Sequence, residues 1–250
     1  MHIDRTSFLD VDFDVTAAED LLPVIAETSR DGAYRYIVTP NVDHVVRLHK
    51  QGAKFPGLPD IYRNAFLCVC DSQVLARIAR LKGVTLPVIV GTDLASLVLD
   101  RIAQSGDVLG VIGADEDTVR SLRARYPRFE FAHHSPPMGL LGNPSARKRA
   151  AEFIADRKPR FTFICVGSPQ QEMIAAEAAE VSGSCGTALC VGAALEFIAG
   201  RQKRAPKLAR RLGLEWAHRL VSNPRRLWRR YLVEGPAIFL LAWRWRRKTA

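Results

Sequence analysis

Residues 161–172 have the sequence FTFICVGSPQQE. The first six residues are mostly apolar and lack a regular polar alternation, which is typical of a strand buried on both faces. Gly167 allows a turn, and Pro169 suits the first turn of a helix, which we predict over residues 169–181. A buried strand that leads directly into a helix is the unit from which parallel sheets are built, so this stretch predicts an α/β fold.

The same succession of apolar runs and helical patterns continues on both sides of this stretch. Strands are predicted at residues 34–39, 66–70, 88–91, 108–113, 129–132, 161–167 and 187–191. Helices are predicted at about residues 17–30, 42–50, 73–82, 93–104, 115–125, 145–157, 169–181 and 193–199. This order indicates a Rossmann-like, mostly parallel sheet flanked by helices, formed by residues 1–200.

Composition places the chain among globular proteins of a reducing compartment. Of its 250 residues, 48% are hydrophobic and 25% are charged, which is enough for a large core. The five cysteines lie in apolar segments without metal-ligand spacing, so we expect reduced thiols and no metal site. No run of about 20 apolar residues is present, and acidic residues near the N-terminus argue against a signal peptide, so neither a membrane span nor a leader is expected.

Charge is distributed unevenly along the chain. Residues 201–250 contain 15 Lys and Arg but 2 acidic residues, whereas residues 1–200 contain 21 basic and 24 acidic residues. Pro206, Pro224 and Pro236 divide the basic segment into three predicted short helices. Their Leu and aromatic stripes are flanked by Arg, as in helices that lie at a lipid headgroup interface. We therefore predict a basic, helical, membrane-associating appendage at residues 201–250.

Two other interpretations of the basic segment stay open at this point. It can be a helical subdomain that packs on the α/β body and leaves a charged face in water. It can also be the binding surface of a non-catalytic nucleic-acid- or membrane-binding module. Binding to nucleic acid is disfavoured, because the chain contains no known reader motif and its aromatic residues share helix faces with Leu.

Polar residues cluster where the predicted strands end, which is the usual ligand crevice of an open α/β sheet. Asn41 can bind a ligand or cap the following helix, and Asp71 can act as a general base or as a cap. The remaining candidates are Thr39, Gln171, Glu172, Gly192 and Glu196. Each lies at or shortly after the end of a predicted strand, so the sequence predicts that all of them surround one crevice.

In their order along the chain, these motifs resemble the WecB/TagA/CpsF family of bacterial glycosyltransferases. The shorter matching stretches are TPN at 39–41, Asp71 followed by ARLKG at 79–83, VGTDL at 90–94, VIG at 111–113, GxPxQE at 167–172 and VG at 191–192. The longest are AGRxxRAP at 199–206, RLGLEW at 211–216 and RLxxxPRRLWRRYL at 219–232. The resemblance covers about residues 8–235.

The resemblance implies an inverting transfer of a hexose or N-acetylhexosamine. The implied donor is a UDP-sugar, and the acceptor is a polyprenyl-diphosphate-linked sugar of cell-surface polysaccharide synthesis. It also implies that no metal or other cofactor is required, that nucleic acid is not a partner and that the protein is cytoplasmic and peripheral on the inner face of the membrane. A homo-oligomer is compatible with it.

The resemblance also implies roles for the residues at matching positions. Asp71 resembles the proposed catalytic base, while Thr39, Asn41 and Gln171 resemble residues around the donor and acceptor sugars. The resemblance also implies that Glu172, Gly192 and Glu196 belong to the substrate-binding residues. Three arginines of the basic segment match appendage arginines that reach the diphosphate: Arg219, Arg226 and Arg229.

The chain departs from the family pattern at Ser72, Gln170 and Glu196, where the family usually has Gly, Lys and Asp. The loop at 135–139 resembles members that build exopolysaccharides, which favours UDP-glucose or another hexose donor over UDP-N-acetylmannosamine.

Overall fold

The computed structural model describes residues 3–29, 32–51, 55 and 57–246. The strands are β1 (Arg5–Phe8), β2 (Val11–Asp14), β3 (Arg35–Val38), β4 (Leu67–Cys68), β5 (Val108–Gly113), β6 (Glu130–His134), β7 (Phe161–Cys165) and β8 (Thr187–Cys190). The first nine helices are α1 (Ala18–Thr28), α2 (Val42–Gln51), α3 (Leu58–Arg63), α4 (Gln73–Leu81), α5 (Gly91–Leu97), α6 (Glu116–Arg125), α7 (Pro144–Arg157), α8 (Gln170–Ala179) and α9 (Ala194–Ile198).

Four further helices follow in the basic segment: α10 (Lys207–Arg211), α11 (Glu215–Ser222), α12 (Pro224–Trp228) and α13 (Ala237–Arg244). π-Helical turns continue α5 over Val98–Ile102 and α12 over Arg229–Glu234, and a short 3₁₀ turn, Leu140–Gly142, precedes α7. No helix in the described residues combines the length and apolar character needed to cross a membrane.

The sheet confirms the predicted α/β class. Its six strands are parallel and lie in the order β4-β3-β8-β7-β5-β6. Neighbouring residues of β3 show why its sequence lacks alternation: Ile37 and Val38 are both fully buried, but they belong to separate cores on opposite faces of the sheet. One core includes residues of α2, α4, α7 and α8, and the other includes residues of α1, α5, α6 and α9.

The N-terminal hairpin was not predicted. β1 and β2 pair antiparallel through a turn at Leu9 and Asp10, which both have positive φ. Such turns are usually signalled by Asn-Gly or Asp-Gly, so Leu9-Asp10 gave no turn signal in the sequence. The short helix α3 was also missed.

The predicted strand at 88–91 was wrong. Only Val88 pairs, through a single parallel bridge to Cys70. Val90 already occupies the N-cap position of α5, and Gly91 is its first residue, so the chain turns into a helix before a strand can form.

In its described residues, 201–246, the basic segment is helical, but it forms four α-helices instead of the three predicted. Gly213 has a φ of +71° and follows the end of α10, so the first predicted helix is divided into α10 and α11. α13 packs against α2 and α4, and its Ile238 and Ala242 are buried in the core of the body. Part of the segment therefore docks on the body, as one of the open interpretations expected, while its membrane association stays a prediction.

We expect the docking of α13 to contribute to folding stability. Replacing the buried Ile238 by Ala should lower the free energy of unfolding by about 2–4 kcal/mol, because it removes packed methyl groups and leaves a cavity. Chemical denaturation measures the change. The control is Trp243, which lies five residues after Ile238 in the same helix and is 75% exposed. Trp243→Ala should change the free energy of unfolding by less than about 0.5 kcal/mol. Equal effects of the two changes would contradict the docked arrangement.

Candidate active site

Two adjoining cavities lie at the carboxyl ends of the central strands, beneath the C-terminal helices. The large cavity has a volume of about 740 Å³ and the small cavity about 360 Å³. Both are lined by Asn41, Asp43, Asp71, Glu215, Arg219, Arg230 and Tyr231. We call these seven residues the junction. Their position means that groups bound in the two cavities would meet there.

Asp71 follows β4 and is not a helix cap. The hydroxyl of the next residue, Ser72, accepts a hydrogen bond of 3.1 Å from the backbone N–H of Leu75 and so caps α4. This leaves the Asp71 carboxylate at the junction. Gly91 at the start of α5 gives it space, because a Cβ at that position would lie 3.5 Å from Asp71 Oδ2 and 3.2 Å from Thr39 Oγ1.

The surroundings of Asp71 favour its protonated form near neutrality. Burial raises its pKa to about 7, and the negative charges of Glu215 and Asp93 act in the same direction. Arg219 and a hydrogen bond from the Gly91 backbone oppose this shift in the pKa. A carboxyl group with a pKa near the working pH is well matched to accept a proton in general base catalysis.

Asn41 and Thr39 have structural contacts as well as positions in the site. The Asn41 side-chain oxygen accepts hydrogen bonds from the backbone N–H groups of Asp43, at 3.0 Å, and His44, at 3.4 Å, so it caps α2. It also lines both cavities. Thr39 lines the small cavity, and its hydroxyl donates to the carbonyl of Cys190 at 2.9 Å, which ties β3 to β8.

Gln171 and Gly192 form one side of the small cavity. The Gly192 N–H donates to Gln171 Oε1 at 3.0 Å, and Gln171 Nε2 donates to Glu172 Oε1 at 2.8 Å. Glu172 is fully buried behind Gln171 and lines neither cavity. Burial raises the pKa of Glu172. Of the predicted substrate-binding residues, Glu172 is therefore not in contact with a cavity. Its carboxylate instead supports the side chain of Gln171 through their hydrogen bond.

Glu196 lines the small cavity and connects the body to the basic segment. Its carboxylate accepts a hydrogen bond from the side-chain amide of Gln202, and its carbonyl accepts from the backbone N–H groups of Arg201 and Gln202. These contacts fix the point at which the chain leaves α9.

The predicted appendage arginines have different positions. Arg219 lies at the junction, where it pairs with Glu215 at 2.7 Å and its guanidinium lies 5.3 Å from the centre of the Phe197 ring. Arg229 lines neither cavity; it is largely exposed and pairs with Glu234 at 3.2 Å, five residues along the π turn. The side chain of Arg226 lies outside the described part of the structure.

Arg230 lies at the junction, whereas the neighbouring Arg229 lines neither cavity. The Arg230 guanidinium is 3.3 Å from Asp43, which also accepts a hydrogen bond of 2.7 Å from Arg47. The sequence analysis missed Arg47 and Arg230. The only sequence signal for Arg230 was its place in the matching RRLWRRYL stretch at 225–232. That stretch contains four arginines, and the sequence did not show which of them face the site.

His44 is buried beside these arginines and lines the small cavity. Burial lowers its pKa to about 3, so the imidazole is neutral at physiological pH. Within the described residues, no group of three or more His, Cys, Asp and Glu side chains has an arrangement that could hold a metal ion.

A family model described as "Glycosyl transferase WecG/TagA/CpsF family" matches residues 6–250. The chain belongs to this family. It is 26% identical over 234 residues to the N-acetylglucosaminyldiphosphoundecaprenol N-acetyl-β-D-mannosaminyltransferase of Staphylococcus aureus strain MW2, covering 90% of this chain and 87% of that protein. A protein of the same name from Bacillus spizizenii is 26% identical over 227 residues, covering 89% and 83%. The predicted family membership is confirmed, and the chain is a glycosyltransferase.

Among the junction residues of this glycosyltransferase, Asp71 has the properties of a proton acceptor. We expect kcat/KM to fall as pH decreases through about 7, because protonation of Asp71 removes the base. Asp71→Asn should lower kcat by roughly 100-fold or more and abolish this acid limb.

Rate profiles between pH 5 and pH 9 measure both effects. Asp60→Asn, on the exposed surface of α3, is the control and should keep the parental profile. An acid limb that persists in Asp71→Asn would show that another group accepts the proton.

Proposed function

We propose that the protein is an inverting glycosyltransferase of cell-surface polysaccharide synthesis. It transfers a hexose or N-acetylhexosamine from a UDP-sugar to a polyprenyl-diphosphate-linked acceptor. The observation that supports this most directly is the meeting of two cavities at a junction that contains Asp71 together with Arg219 and Arg230. Two substrates that exchange a sugar require such a shared boundary.

The chemistry assigned to the junction is a single displacement. Asp71 accepts the proton of the acceptor hydroxyl, whose oxygen forms a bond to the anomeric carbon of the donor. The bond from that carbon to the β-phosphate oxygen breaks at the opposite face, and UDP leaves with the electron pair. Arg219 and Arg230 stabilise the charge that develops on the diphosphate, which a metal ion would otherwise do.

The lining of each cavity suggests which substrate it takes. The small cavity is surrounded by polar groups at the strand ends and helix starts, including Thr39, Gln171 and Gly192, and suits the nucleotide sugar. The large cavity has apolar lining residues from both parts of the chain: Val74 and Val88 from the body, and Trp216, Ile238 and Phe239 from the C-terminal helices. An acceptor that carries a hydrocarbon chain next to its diphosphate suits such a mixed surface.

The donor sugar is proposed from the relatives. The loop at 135–139, which favoured a hexose donor in the sequence, lines neither cavity, and its Met138 is almost fully exposed. The relatives are named as N-acetylmannosaminyltransferases acting on N-acetylglucosaminyl-diphospho-undecaprenol, so UDP-N-acetylmannosamine and that acceptor are the first pair to test.

A donor screen tests the proposed function. UDP release is measured for UDP-N-acetylmannosamine, UDP-N-acetylglucosamine and UDP-glucose, with and without N-acetylglucosaminyl-diphospho-undecaprenol. We expect acceptor-dependent release with one donor, undiminished by EDTA, and at least about 100-fold slower in Asp71→Asn. Release that does not depend on the acceptor, or that EDTA abolishes, would contradict the proposal.

The C-terminal helices also provide a surface for a lipid bilayer. In the described residues, ten of the twelve exposed large hydrophobic side chains lie between Leu208 and Trp243, and the other two are Leu81 and Met138. They lie within the strongly basic part of the chain. Apolar side chains next to arginines bind anionic membranes by insertion and by charge attraction, which supports a peripheral location on the inner face of the membrane.

Sedimentation with vesicles containing phosphatidylglycerol tests this surface. The double variant Trp228→Ser/Trp243→Ser should bind at least about tenfold more weakly, because two partly inserted indole rings are lost. The matched control, Leu81→Ser/Met138→Ser, removes the two exposed apolar side chains of the α/β body and should bind like the parent. Equal loss in both double variants would argue against a membrane face on the C-terminal helices.

A further inference from the structure

Glu215 is an acidic junction residue for which the proposed function has no role. It is the first residue of α11, lines both cavities, and holds Arg219 one turn along the same helix at 2.7 Å. A further carboxylate, beside Asp43 and Asp71, is unfavourable for an anionic substrate at this junction. Its presence next to Asp71 and Arg219 therefore needs a physical reason.

The contacts of Arg219 indicate that reason. The guanidinium is fixed by Glu215 and by the ring of Phe197, and its buried Nε makes no hydrogen bond. Between Asp71 and Arg219, both of which the structure describes, no ion pair forms although both line the junction. The arginine is close enough to influence Asp71 but is paired with a different carboxylate.

We propose that Glu215 is a positioning residue that keeps the Arg219 guanidinium from pairing with Asp71. In this arrangement Asp71 stays free to accept a proton from the acceptor, and Arg219 stays available to the diphosphate. This inference rests on the proposed function of the same site, and it concerns how its base and its cation are kept apart.

A direct ion pair between Arg219 and Asp71 would impair the proposed role of each residue. An arginine paired directly with a carboxylate commonly lowers the pKa of that carboxyl by about 1–3 units. Asp71 would then be ionised at neutral pH but weakly basic, and Arg219 would be occupied. Three charged groups act on Asp71: Arg219 and Glu215 from α11, and Asp93 from α5. The backbone N–H of Gly91 donates a hydrogen bond to it, and Asp43 and Arg230 also lie at the junction.

The direct test is the titration of the Asp71 carboxyl group in the full-length protein. ¹³C-labelled aspartate allows its signal to be followed by NMR and assigned by its loss in Asp71→Asn. In Glu215→Gln, which keeps the size of the side chain, we expect the midpoint to fall by about one unit or more, because the released Arg219 moves towards Asp71.

A double variant distinguishes an effect of Glu215 that acts through Arg219 from a direct effect of the Glu215 charge on Asp71. In an Arg219→Gln background, Glu215→Gln should move the Asp71 midpoint by less than about a third of its effect in the parent. An equal shift in both backgrounds would mean that Glu215 acts on Asp71 directly, and no shift in either would mean that it is only structural. Both of these results would overturn the proposal.

Kinetics provide the second readout. With UDP-N-acetylmannosamine and N-acetylglucosaminyl-diphospho-undecaprenol, Glu215→Gln should shift the acid limb of kcat to lower pH and lower the plateau about tenfold. The control, Glu234→Gln, breaks a matched Glu–Arg pair outside the cavities and should leave the profile unchanged. If no donor is turned over, the proposed function fails, while the NMR titration still decides the role of Glu215.

Discussion

A carboxylate enclosed at the end of a buried strand is the constraint on which the site depends. Removing a charged group from water is costly unless neighbouring dipoles and charges compensate for it. Around Asp71 the compensation is incomplete: one backbone N–H and a nearby arginine favour the anion, while burial and two other carboxylates oppose it. The carboxyl group therefore binds its proton more tightly than a solvent-exposed aspartate does, and it titrates near neutrality. Its environment stabilises the charge only in part.

The body and the basic segment each supply part of this environment. The body provides Asp71, the Ser72 cap and the space left by Gly91, all within elements fixed by the sheet. The C-terminal helices provide Glu215 and Arg219 and are attached to the body through the buried residues of α13. The same helices turn their exposed apolar side chains outward. One segment therefore contacts the core, lines the site and presents exposed apolar side chains at the surface.

The sequence predicted the sheet well because burial on both faces leaves a clear pattern, as in Ile37 and Val38. It also predicted that residues after the strands would gather at one edge, since parallel strands end together. It failed at the hairpin, where Leu9-Asp10 adopts a turn without the usual residues. Such conformations are enforced by packing of the flanking strands, which a local pattern cannot show.

The placement of neighbouring side chains within the site was also beyond a sequence pattern. Arg229 and Arg230 are adjacent and chemically identical, and a π turn determines which of them faces the cavities. Glu172 adjoins Gln171, but its side chain points into the interior instead of the cavity. In both cases the sequence named the segment that reaches the site but not which of two neighbouring side chains lines the cavities. The direction of a side chain depends on helix geometry and packing beyond the reach of a motif.

The distribution of the lining residues along the chain affects how the enzyme is made. The cavities use side chains from Thr39 to Phe239, so the crevice is assembled from distant parts of the chain. A growing polypeptide that has produced the whole sheet still lacks Glu215, Arg219 and Arg230. Until these residues emerge from the ribosome, the nascent protein has Asp71 and Arg47 but not the C-terminal charged groups that line both cavities, so the junction is completed only late in synthesis.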